Sequence, residues 1–183
     1  EVIERPANVV KELVENSIDA SSSKIDIIIE EGGMNLIEIV DDGLGMDQED
    51  AKLCFSRHAT SKITNDQDLF CIQTLGFRGE AIPSIASISH FELKTSDGQS
   101  GSTVVYEFGK FIEQKQSDLK RGTKITVTKL FQNVPARLKY VKSVNAEFAH
   151  IQNYVERLSL SHPDIAFTLM HNGKVTYKTN GNG

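Results

Sequence analysis

The sequence predicts an α+β fold, a mostly antiparallel or mixed sheet with helices packed on one face. Three observations carry this. Strand-like runs come in pairs joined by short turns, 24–30 with 35–40 and 164–170 with 174–179. The opening segment, from Pro6 to about Ala20, has an apolar stripe at helical spacing. A second stretch, 145–161, places Phe148, Ile151, Val155 and Leu158 mostly at that spacing. With 183 residues, 39% hydrophobic and 25% charged, the chain is long and apolar enough for one domain with a real core.

Each element has a local reason. Pro6 suits a first helical turn, where its missing N–H is not needed, and "SSS" at 21–23 releases the helix. "EGGM" joins the first two strands as a hairpin. Asp47, with Asp50 three residues on, reads as the N-cap of a short helix running through Phe55. From 56 to 75 the sequence is polar and aperiodic, the pattern of a long loop or lid. "GFRGEAIPSIASIS" turns this into a helix beginning near Glu80, with Pro83 tolerated in its first turn. Alternating runs at 91–95, 103–108 and 123–130 read as strands, and "HNG" closes the final hairpin. No internal repeat or low-complexity linker interrupts the chain.

The net charge of −5 and pI near 5.6 argue against a surface that coats nucleic acid throughout, while leaving room for a local basic strip. Cys54 and Cys71 form no CxxC and cannot build a zinc site alone. Without a signal-peptide pattern or a long apolar run they read as reduced thiols of a cytosolic or nuclear protein. A first residue of Glu1 and a last stretch "NGNG" suggest a piece of a longer protein.

Three stretches carry chemistry. In "ELVENSIDA", Glu12, Glu15 and Asp19 repeat a carboxylate at spacings of three and four, which repels on a helix surface. Lys11 and Glu15 can pair in solvent, but Glu12, Asn16 and Asp19 form a strip along one edge of the buried stripe. That strip is either a solvated face or a site with a working carboxylate and an amide that holds a metal or ligand. In "IVDDGLGM" an apolar strand ends in Asp41, followed by two glycines at alternate positions. The pattern is an ordinary turn or a close approach of backbone to a ligand, with Asp41 as an acceptor for an amino group. "LGFRGEA" sets Gly76 and Gly79 around Arg78 just before a helix, a phosphate cradle or a braced turn. No Walker A motif is present.

Taken in order, "ELVENSIDA", "DDGLGM", "RHATSKI", "GFRGEA" and "GTKITVTKLF" resemble the ATPase region of MutL-type DNA mismatch repair proteins. That region is similar to the wider gyrase, Hsp90, histidine-kinase and MutL group with the Bergerat fold, a two-layer sandwich. "RHATSKI" and "GFRGEA" favour the MutL branch. The resemblance implies a single ATP-binding domain over 1–183, with an ATP lid at 56–79. It implies Glu12 as general base and Asn16 as the Mg²⁺ ligand. Asp41 would accept from the adenine amino group, supported by Thr123 through water, with Gly45 bringing backbone close to the base. Thr60, Ser61 and Lys62 would lie in the lid over the phosphates. Gly76, Phe77, Arg78, Gly79 and Glu80 would form the phosphate-cradling turn. Asp42, where much of the group has Asn, is expected to point away from the base.

The implied cofactors are ATP and Mg²⁺. The implied partners are a MutS-type mismatch recognition protein, DNA bound weakly and without sequence preference, and a second MutL-type subunit, identical or not, joined on ATP binding. No membrane is implied. The protein would be cytoplasmic and nucleoid-associated if bacterial, nuclear if eukaryotic. A piece lacking the segments that normally flank this region is expected to bind nucleotide weakly and turn it over little. The alternatives are another ATPase of the same fold, a histidine kinase or type II topoisomerase subunit, or a nucleotide-binding module without turnover. "ARLKYVK" carries Arg137, Lys139 and Lys142 around Tyr140, either a solvated loop or a strip for phosphates.

Overall fold

The computed structural model describes residues 3–55, 81–117 and 120–183. In chain order it contains α1 (Pro6–Asp19), β1 (Lys24–Glu30), β2 (Leu36–Asp41), α2 (Gln48–Leu53) and α3 (Ala81–Ala86). Four strands follow, β3 (His90–Ser96), β4 (Gly101–Glu107), β5 (Lys110–Gln116) and β6 (Gly122–Thr128). The chain ends with α4 (Val144–Ser161), β7 (Ala166–His171) and β8 (Lys174–Lys178).

All eight described strands form one sheet in the order β5-β4-β3-β6-β2-β1-β7-β8. Every neighbouring pair is antiparallel except β1 with β7, which run parallel. The expected mixed, mostly antiparallel sheet is therefore present. One face carries rows of buried apolar side chains in register: Ile37, Val127 and Phe91 in one row, Ile39, Ile125 and Leu93 in the next. Val9, Val10, Leu13 and Val14 of α1 and Ile151 and Val155 of α4 belong to the same core. The opposite face alternates to residues such as Glu38, Lys124, Thr126 and Glu92, which are only half-buried. Residues i and i+2 of a strand share a face, so this one-sided burial follows from alternation.

The helix ends are satisfied locally. Pro6 opens α1, and Asn8 Oδ1 accepts from the backbone N–H of Glu4 and Arg5 at 2.9 and 3.0 Å. Ser143 caps α4 by accepting from Ala146 N–H at 3.1 Å. Asp47 caps α2 as the sequence predicts, its Oδ1 accepting from Asp50 N–H at 2.9 Å. One strand escaped the sequence reading. β5 is an edge strand whose side chains nearly all face solvent, so "KFIEQKQ" has no buried row to impose alternation. Cys54 is buried, with its Sγ 3.2 Å from Met46 Sδ. Cys71 lies outside the described residues.

Asp50, on α2, is buried, and its Oδ1 has no hydrogen-bond partner among the described residues. Burial first, then the charges of Asp47, Glu49 and Asp97, push its carboxyl up from 3.8 to about 6. The folded state thus holds this proton more tightly than the unfolded chain does. Its contribution to stability is complete below the unfolded value and is lost as pH rises from about 4 to about 6. The loss is at most about 3 kcal/mol, from roughly 1.4 kcal/mol per pH unit. Asp50→Asn is expected to flatten this fall and to raise the melting temperature at pH 8. Thermal melts between pH 4 and 8 check this; an unaltered pH profile in the variant would clear Asp50 of the effect.

Candidate functional site

The apolar rows on the inner face end in a polar one. After Ile37 and Ile39, β2 presents Asp41; after Phe91 and Leu93, β3 presents Thr95; at the start of β6, before Ile125 and Val127, stands Thr123. Register puts the three side by side, Asp41 opposite Thr123 and Thr123 opposite Thr95. All are buried. Three strands that share one apolar face therefore carry hydrogen-bonding groups to the same end of the sheet.

Asp41 is the centre of this row. Its Oδ2 accepts from the Ser17 hydroxyl of α1 at 2.6 Å, and its Oδ1 from Gly43 N–H at 2.9 Å. Burial pushes the Asp41 carboxyl up, while bonds from Ser17 and from the backbone of Gly43 and Thr123 pull the other way. An ionised carboxylate has about four acceptor positions, so the bonds from Ser17 and Gly43 leave acceptor capacity on it. The Thr95 hydroxyl accepts from Met46 N–H at 3.0 Å and lies 2.8 Å from Thr123 Oγ1, tying the 42–46 loop to β6.

The Ser17–Asp41 bond docks α1 onto the end of β2. Asn16 precedes Ser17, and Glu12 lies one turn earlier on the same face. Glu12 and Asn16 are 2% and 1% exposed, so this pair is no solvated strip. Burying an acid and an amide inside an otherwise apolar helix face is costly unless they are used. Asp19 is only half-buried, and Glu15 accepts from the Tyr154 hydroxyl of α4 at 2.9 Å.

The glycines of this region are held by packing. A Cβ at Gly45, where φ is +66°, would stand 1.8 Å from the Ser96 carbonyl oxygen. A Cβ at Gly122 would stand 2.3 Å from the Asp41 carbonyl oxygen. On the side where a Cβ would stand, Gly45 is packed against backbone of the 96 and 122 segments. Asp42 turns away from the polar row, with Oδ1 accepting from Ser23 and Lys24 N–H at 2.8 and 3.0 Å. Burial opposes ionisation there, but these bonds and the Ser23 hydroxyl outweigh it and hold its pKa down.

The structure therefore gathers Asp41 and Thr123, with Glu12 and Asn16 on the helix that Ser17 docks beside them. Thr60, Ser61, Lys62, Gly76, Phe77, Arg78, Gly79 and Glu80 lie outside the described residues, as does the 56–79 lid. Ser17 and Thr95 were missed as site residues. Their signal was a polar side chain continuing an apolar row, which the alternation of β3 could have flagged. Elsewhere, Arg137, Lys139 and Lys142 join Arg5 and Tyr140 around a cavity of about 550 Å³. Arg137 Nη1 donates to the Ile3 carbonyl at 3.0 Å, so that cation is partly committed to structure.

A polar row thus ends the mixed sheet, and the first helix, with its buried acid and amide, docks on it through Ser17. The chain belongs to the histidine kinase-, DNA gyrase B- and HSP90-like ATPase family, whose profile matches residues 3–140. Within it, the resemblance to the MutL ATPase region runs the length of the chain. The chain is 58% identical to the DNA mismatch repair protein MutL of Listeria monocytogenes serotype 4b and 55% identical to that of Bacillus pumilus, all of the chain being covered in both. It spans only 30% and 29% of those proteins' lengths. The Aquifex aeolicus MutL ATPase domain complexed with ADP superposes with a TM-score of 0.82 at 29% identity. That match covers all of this chain and 66% of the Aquifex one. No described helix is long and apolar enough to cross a membrane.

Proposed function

We propose that this chain binds ATP with Mg²⁺ and hydrolyses it slowly, serving as the nucleotide-driven dimerisation switch of a MutL-type mismatch repair protein. The observation that carries the reading is the burial of Glu12 and Asn16 on α1, next to the Ser17–Asp41 bond at the polar end of the sheet. The ADP held by the Aquifex relative supports an adenine nucleotide as the ligand.

In this reading Asp41 accepts from the adenine amino group, and Thr123 supports it from the neighbouring strand. Glu12 orients a water and takes its proton as that water attacks the γ-phosphate. The donor set suits a hard, largely hydrated cation. Asn16 offers an amide oxygen beside the Glu12 carboxylate, and no group of three His, Cys, Asp or Glu among the described residues would select a caged or softer ion. Bound Mg²⁺ would neutralise charge across the phosphates. Residues 60–62 and 76–80 would close over and cradle those phosphates. The cavity between Arg5, Lys139, Tyr140 and Lys142 supports weak, sequence-independent contact with DNA phosphates. Coupling to a MutS-type protein and pairing with a second MutL-type subunit belong to the same proposal.

The test is a titration with a non-hydrolysable ATP analogue, with and without Mg²⁺, beside Asn16→Ala and Asp41→Asn. Binding is expected to require Mg²⁺ and to weaken at least about tenfold in each variant, the scale of one lost hydrogen bond to a charged group. Affinity indifferent to Mg²⁺, or undiminished in Asp41→Asn, would overturn the assignment.

A further inference from the structure

Two turns meet at the end of the sheet opposite the polar row. One joins β1 to β2 through Glu31, Gly32 and Gly33; the other joins β7 to β8 after His171, through Asn172 and Gly173. β1 and β7 run parallel, in register from Lys24 with Ala166 to Ile29 with His171, so both strands deliver their turns to one place. Three backbone N–H groups bind the turns together. Glu31 N–H donates to Asn172 Oδ1 at 2.9 Å, Asn172 N–H to the Ile29 carbonyl at 3.0 Å, and Gly32 N–H to His171 Nε2 at 3.1 Å. The last bond fixes a protonation state. A backbone N–H can only donate, so Nε2 must offer its lone pair and the ring's one hydrogen must sit on Nδ1. The ring itself is clamped. Phe148 of α4 stacks on it with centroids 3.8 Å apart and planes 7° apart. Gly32 is buried against the same helix, where a Cβ would stand 2.8 Å from the Val144 carbonyl oxygen.

We propose that His171 is a protonation-sensitive latch that locks the 31–33 turn to the C-terminal hairpin and α4 when neutral and releases it when charged. Protonation places a hydrogen on Nε2, facing the Gly32 hydrogen with the two nitrogens 3.1 Å apart. An attraction becomes a repulsion, and a buried N–H loses its acceptor. Turning the ring over gives no escape, because both nitrogens of an imidazolium carry hydrogens. The charged groups on the elements packed around the ring are Glu30 and Glu31 at the β1–β2 turn, Glu147 at the start of α4 and Lys174 on β8. Burial holds the His171 pKa below its ordinary 6.5, outweighing the Glu31 charge that favours the cation. The folded protein therefore binds this proton less readily than the unfolded chain does. The latch's stabilisation is complete above about pH 6.5 and is lost as pH falls through the lower folded value. The same turn seats both walls of the basic cavity. A Cβ at Gly33 would stand 2.6 Å from Pro6 Cβ, next to Arg5, and Glu147, packed on Gly32, accepts from Lys142 N–H at 2.6 Å. Release thus loosens the cavity lined by Arg5 and Lys142, while Asp41, at the far end of β2, stays in place.

The inference stands apart from the nucleotide reading, and its test uses no nucleotide. Nitrogen NMR between pH 5 and 8 follows the His171 ring and the Gly32 amide in the native protein, His171→Gln and His171→Phe. Glutamine can accept from Gly32 N–H without titrating; phenylalanine keeps the stack and cannot accept. In the native protein at pH 8 the ring hydrogen is expected on Nδ1. As pH falls through the His171 titration, Gly32 should lose about tenfold or more of its exchange protection, corrected for the intrinsic rate. His171→Gln should hold that protection at every pH, and His171→Phe should lack it at every pH. The Thr123 amide is the control and should stay protected in all three. A hydrogen on Nε2 at pH 8 would overturn the latch, as would Gly32 protection unmoved by the titration or an equal fall in His171→Gln. A parallel fall at Thr123 would mark general unfolding and overturn it too. If His171→Phe does not fold, the native titration and His171→Gln decide alone.

Discussion

A Glu12→Gln variant is expected to keep its nucleotide affinity and to lose turnover by roughly 10²–10⁴-fold, the range spanned by loss of a positioned general base. Glutamine matches the shape of the acid and can still hold a water, but it cannot take the water's proton. Glu12 is 2% exposed, so an alanine there would open a cavity and confuse lost chemistry with lost packing. Glutamine avoids this by keeping the size and shape of the acid. Single-turnover hydrolysis measured beside analogue binding separates the two effects. Turnover within a few-fold of the native rate would mean that the base is another residue. Loss of binding in parallel would place Glu12 in ligand contact rather than proton transfer.

Gly45→Ala is expected to destabilise the fold by about 3 kcal/mol or more, at the exceptional end for a single substitution. Two penalties act together. A φ of +66° costs an L side chain roughly 1–2 kcal/mol. The added carbon would also stand 1.8 Å from the Ser96 carbonyl oxygen, which is backbone and cannot rotate aside. Gly173 supplies the control. Its φ is +84° and nothing lies within 4 Å of its missing side chain, so Gly173→Ala should cost only the strain. Urea denaturation of the two variants is the measurement. Equal losses would mean that the loop at 45 relaxes away from Ser96 at little cost.

Most of the sheet and the long helices were legible because burial imposes a period on the sequence. Ile25, Ile27 and Ile29, or Ile37 and Ile39, alternate because one face is covered and the other is not. β5 was illegible for the complementary reason: at an exposed edge neither face selects for apolar residues. Within the site, Asp41 stood out because it ends an apolar strand before glycines. Thr95 did not, because a threonine at a strand end is unremarkable until register shows it beside Thr123. Gly45 was read as bringing backbone close to a ligand, and its packing against the Ser96 carbonyl is a further demand for glycine that only the tertiary structure shows. The strip of Glu12 and Asn16 could be drawn on a helical wheel, but whether water or protein faced it could not.

The pairing of Asp41 with Thr123 brings together positions separated by roughly eighty residues, a costly loop to close. The β1–β2 hairpin can form early and by itself, as can the β3–β4–β5 meander, but neither holds both partners. The Asp41–Thr123 pair therefore exists only once β6 is inserted between β2 and β3. A ligand gripping that seam rewards completion of the whole sheet and gives nothing to either half alone. Nucleotide would then act as a fastener for folding itself, slowing amide exchange on both sides of β6 together.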